Sequence, residues 1–144
     1  MFGYNNKYLL LHPWKGMERA YYQLKWFFQR AWRGYGDNDS WSLDDYLNSW
    51  LPQAIRSLKS GSGYPVDVYL TLYPNEDWMN MDPIHSTLAH AHWHEILESM
   101  AQGFEAAAKI SAFEFDGATE LDTLQRQMHE GLRLFSQYYQ NLWD

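Results

Sequence analysis

Apolar side chains recur every three or four positions in four stretches of the chain, the spacing that gathers them on one face of an α-helix. The first stretch runs from Lys15 to Trp32, with Met17, Tyr21, Leu24, Phe28 and Ala31 in line. Tyr22 and Trp26 fall outside that line, so this helix is expected to make contacts on two sides, and Gly34 and Gly36 end it. The second runs from Leu43 to Lys59, with Leu43, Leu47, Trp50, Ala54 and Leu58 as its stripe. Ser42 and Asp45 approximate a capping box at its start. Pro52 has no amide hydrogen to donate and is expected to kink or split the helix near residues 48–51. The third runs from Thr87 to Ser111, where Trp93, Ile96, Leu97, Met100, Phe104 and Ala107 fall in a narrow arc. The fourth follows Thr119, and Leu121, Leu124, Met128, Leu132, Phe135, Tyr139 and Leu142 give it a seam like that of a coiled coil.

One stretch has a different period. Val66, Val68, Leu70 and Leu72 alternate with Asp67, Tyr69, Thr71 and Tyr73, as in a β-strand. No second alternating run exists to pair with it. Residues 66–84 are therefore expected as extended chain lying across helices, or as an edge offered to another subunit. The expected fold is mainly α: a single domain over residues 1–144, a bundle of about four helices with a kinked second helix and one long extended loop.

Composition narrows the function classes. Eight Trp, eleven Tyr and seven Phe suit an aromatic core with an oligomer interface, or an exposed stacking surface. The absence of cysteine excludes disulfides, thiolate metal sites and cysteine nucleophiles. A net charge of −7 argues against a duplex nucleic acid partner. The first residues lack a signal peptide's apolar stretch, and no run approaches the ~20 apolar residues needed to span a bilayer. A cytoplasmic protein with no membrane partner is expected.

Three groups of residues carry candidate chemistry. His90 and His94, four apart on a helix, have the spacing that lets two imidazoles share a metal, and Glu98 continues the same face. No His-Glu-x-x-His pattern accompanies them, and boundary histidines are common, so the metal site is a side hypothesis. Asp37, Asp39, Asp44 and Asp45 crowd one short segment. The spacing is not that of a calcium loop, since Trp41 stands at a ligand position and the turn glycine is missing. Asp37 and Asp39 suit a turn, while Asp44 and Asp45 suit the positive end of the second helix. Together with Arg33 these aspartates are expected to fix a structural corner between the first two helices. The alternative for that corner is a ligand pocket, in which Trp32, Tyr35 and Trp41 stack on a planar group and Arg33 pairs with a phosphate. No Gly-rich phosphate loop, nucleophile motif or cofactor signature is present, which leans against an enzyme.

Trp32-Arg33-Gly34-Tyr35, followed by Asp37, Asp39, Trp41 and Leu43-Asp44, resembles the signature of a family of small bacteriophage and prophage proteins without an assigned activity. The resemblance extends to Tyr64-Pro65, to Trp93, Ile96-Leu97, Met100 and Gly103-Phe104-Glu105, and to the ending from Gly131 to Asp144. The residues between Val66 and Pro83 and the histidines depart from it. It implies a phage product acting in the bacterial cytoplasm. On that analogy the expectation is a non-enzymatic accessory protein that blocks or sequesters a host component, either a defence protein or a small anionic or nucleotide ligand. The alternatives are a homo-oligomeric virion assembly protein and a metal-dependent hydrolase using His90, His94 and Glu98.

Overall fold

A computed structural model describes residues 13–40 and 42–142. The described chain is all-α, with no strand. Five helices follow one another: α1 (Pro13–Arg33), α2 (Leu43–Ser57), α3 (Val66–Leu72), α4 (Pro83–Ser111) and α5 (Gly117–Tyr138). None is long and apolar enough to cross a membrane. The chain divides into two compact units, Met1–Leu43 and Asp44–Asp144.

In the second unit α2, α3, α4 and α5 close on one core. Ile55 of α2, Val68 of α3, the α4 residues Trp93, Ile96, Leu97, Met100 and Phe104, and Leu134 and Tyr138 of α5 are all buried there. The α4 stripe is the one its spacing predicts. The α2 stripe is rotated: Leu43 and Trp50 are exposed, whereas Pro52 and Ile55 are buried. The helix continues through Pro52 to Ser57 without splitting, and then tightens into a 3₁₀ turn over Leu58–Ser60. Burial of Pro52 in the second half of α2 costs one backbone bond and gains an apolar contact surface.

The expected extended loop is corrected at its start, because Val66–Leu72 is helical. Pro65 immediately precedes the helix, its fixed φ suiting a helix entry, and Asp67 lies in the first turn, where a carboxylate favours the positive helix end. Val68 and Tyr69, adjacent in sequence, are both buried. A strand would send them to opposite faces. Seven residues are too few for alternation alone to decide between the two periods.

The axis of α5 explains a second correction. Its buried positions are Leu124, Gly131, Leu134 and Tyr138, while Leu132 and Tyr139 are exposed. Gly131 sits against Gly103 of α4: a Cβ built on Gly103 would lie 2.6 Å from the Cα of Gly131. The two backbones cross where neither carries a side chain, and this close approach takes the seam position that Leu132 would otherwise fill.

The first unit contains α1 and the turn after it. Gly34, at φ +82°, takes the left-handed conformation that ends a helix, and its N–H donates to the Arg30 carbonyl at 2.9 Å. Trp14, Met17, Tyr21, Leu24, Phe27 and Phe28 are all between 59 and 75% exposed. Among the described residues of this unit, the apolar stripe of α1 has no buried core around it.

Candidate functional site

The corner after α1 is built on two aspartates. Asp39 is buried, and its carboxylate accepts from Arg30 through both oxygens and from the Gly36 N–H at 2.7 Å. The Arg30 guanidinium, and then the Gly36 amide, hold its pKa below the usual carboxylate range against the opposing effect of burial. Gly36 is required close by, since a Cβ there would lie 3.2 Å from the Trp26 Cβ and 3.3 Å from Asp39 Oδ2. Trp26, off the apolar stripe, thus lies against the returning turn. Asp37 is half-exposed and accepts from Gln29 at 2.8 Å, from Lys25 at 2.9 Å and from Arg33. Those three donors depress its pKa strongly, Gln29 first. The Asp37 N–H in turn donates to Gln29 Oε1 at 2.9 Å. The turn is clamped to the last three turns of α1 by side chains four and eight to twelve residues away.

The residues suggested for a ligand pocket that the structure describes lie at the end of α1 and in the turn after it. Trp32 is 93% exposed. Arg33 donates through Nε to the Tyr35 carbonyl at 3.0 Å, bonds Asp37, and lies 4.7 Å above the Tyr35 ring centre. Trp41 lies outside the described residues. Asp44 stands in the first turn of α2. Arg30, the partner of the buried Asp39, carried no distinguishing sign in the sequence beyond its place one turn before Arg33.

The histidine face of α4 is in the second unit. His90 and His94 do meet, with ring centres 4.4 Å apart, and His90 Nε2 lies 3.4 Å from the Gly61 carbonyl. Burial, and then the neighbouring His90 and Lys59, lower the His94 pKa. Its buried Nε2 has no hydrogen-bond partner among the described residues. Glu98 does not join the pair as a third ligand. It accepts from Arg56 at 2.8 Å and from Lys59 at 2.5 Å, and these bonds hold its pKa at about 2. Arg56 also reaches Glu105, so one guanidinium ties α2 to two carboxylates of α4. Among the described residues no three His, Asp or Glu side chains are grouped to hold a metal ion.

A second polar group was not visible in the sequence. The Tyr69 hydroxyl donates to Glu76, and His85 Nδ1 lies 2.7 Å from the other Glu76 oxygen, without hydrogen-bond alignment. Tyr73 stacks on His85 at 4.0 Å. Tyr69 is fully buried and its pKa is raised to about 12 by that burial and by Glu76, so it is an anchor for the α3–α4 connection. A cleft of about 290 Å³ lies nearby, lined by Leu58, the Gly61–Pro65 loop, Trp93 and Asn141. Among the described residues no carboxylate, imidazole or cation lines it. Compared with family models, with curated proteins and with solved structures, the chain matches none.

Proposed function

We propose that the chain is a non-enzymatic accessory protein, of the phage class its motif resembles, that binds a host protein through the end of α1. One observation carries this: Trp32 stands 93% exposed beside the Arg33–Tyr35 stack. Ligand sites for small molecules are concave and enclose most of their guest. A tryptophan that projects so far walls no such cavity, and Arg33 would have to leave Asp37 to take a phosphate. Trp, Tyr and Arg are instead the residues most enriched in the anchors of protein interfaces. The partner is therefore a host protein in preference to a nucleotide.

The test is affinity capture by the tagged full-length chain from a bacterial host, quantified against Trp32→Ala. A tenfold or greater loss of a reproducible partner is expected with the variant. Equal recovery by both would overturn the assignment, as would a melting temperature raised by a nucleotide and left unraised in Arg33→Ala. The exposed stripe of α1 favours a second reading, a virion assembly protein. Stoichiometric presence in purified particles would support it.

A further inference from the structure

We propose that α1 pairs antiparallel with α1 of a second copy of this chain, in the register that sets Trp14 opposite Ala31, Met17 opposite Phe28 and Tyr21 opposite Leu24. The inference is independent of the host-protein assignment. It starts from spacing: Trp14, Met17, Tyr21, Leu24, Phe28 and Ala31 follow one another at intervals of three, four, three, four and three. That is a heptad seam over six layers. Along it the five large side chains are each more than half exposed. Aromatic residues offer roughly 150–250 Å² apiece, so such a face supplies on the order of the ~800 Å² per partner that a stable interface buries.

The flanks of the seam choose the occupant and its direction. Glu18 and Lys25 hold the same heptad position on one flank, and Ala20 and Phe27 the same position on the other. In an antiparallel pair each flank meets its own kind. Glu18 then faces Lys25 of the second copy and Ala20 faces its Phe27, and the two-fold axis repeats both contacts. The layers are matched too, since the largest seam residue, Trp14, meets the smallest, Ala31. A parallel pair would set Trp14 on Trp14 and Ala31 on Ala31, and would leave Glu18 and Lys25 without opposite charges across the seam. An anionic lipid surface fits less well, because Arg30 and Arg33 on the polar side are already bonded to Asp39 and Asp37.

The chain has no cysteine, so introduced ones report the register directly. Full-length Met17→Cys and Phe28→Cys variants, mixed and oxidised, are expected to form the mixed disulfide. Either alone is expected to form little, since the like positions lie about 16 Å apart at 1.5 Å per residue. By sedimentation equilibrium the unmodified chain is expected to be a dimer. Glu18→Lys should weaken that dimer at least tenfold, and Glu18→Lys with Lys25→Glu should restore it to within about threefold; the added cost to the exposed Lys25–Asp37 pair is small. A monomer at 100 µM, efficient linkage of Met17→Cys to itself, or a monomer that co-sediments with anionic phosphatidylglycerol vesicles would each overturn the proposal.

Discussion

The chain carries two helical seams of the same period with opposite fates. On α5, Leu124, Met128, Gly131, Phe135 and Tyr138 step by four, three, four and three, and all are buried or half-buried against α4 and its neighbours. On α1, Met17, Tyr21, Leu24 and Phe28 step in the same way and are exposed. Spacing fixes that a face will be buried somewhere, and it does not say in what. In the second unit the partner is supplied within the chain, and packing extends to backbone contact at Gly103 and Gly131. In the first unit the polar turn holds the end of α1, and among the described residues the side chains of its stripe are exposed.

The comparison breaks most visibly in the core of the second unit. Leu97 is fully buried, so Leu97→Ala should cost about 2–5 kcal/mol in urea unfolding. Leu24→Ala on α1, where the side chain is 59% exposed, should change the unfolding of a dilute sample by about 0.5 kcal/mol or less. Next in size is Gly103→Ala. Its Cβ meets backbone, which cannot swing aside as a flexible side chain would. Overpacking, offset in part by the better helix propensity of alanine, gives a loss of about 2 kcal/mol.

Asp39→Ala tests the first unit. It leaves the Gly36 N–H buried without its acceptor, and a local loss of about 1–2 kcal/mol is expected, read as faster amide exchange at the end of α1. Acid should give the smallest effect. Glu98 has its pKa lowered to about 2 by Arg56 and Lys59, so its contribution is full above the ordinary carboxylate range and is lost as pH falls from about 4.5 towards 2. A third of the side chain is exposed, which limits that contribution to about 1 kcal/mol or less. Unfolding of Glu98→Gln followed from pH 7 to 2 should show a flatter acid limb than the unmodified chain.

Much of this was legible in the residues. The four long helices have the predicted centres, and the Trp93–Phe104 stripe is the one buried. Of the aspartates crowded beside Arg33, Asp37 bonds Arg33 itself and Asp39 bonds Arg30. What escaped has physical reasons. Gly131 belongs to a seam because two backbones touch there, and a pattern read from apolar side chains skips a residue without one. Val66–Leu72 is too short for its alternation to outweigh its helix start at Pro65. Glu98 had the spacing of a ligand, but its partners Arg56 and Lys59 are about forty residues distant, and only the folded chain brings them together.

The proposed pairing of α1 with a second copy implies that its protection depends on concentration, unlike that of the second unit's core. Amide hydrogen exchange of the full chain at about 1 µM and again at 100 µM tests it directly. The account predicts that α4 and α5 exchange slowly and equally at both concentrations, whereas Met17–Phe28 exchanges quickly when dilute and at least tenfold more slowly when concentrated. Equal protection of Met17–Phe28 at both concentrations, matching that of α4, would contradict it.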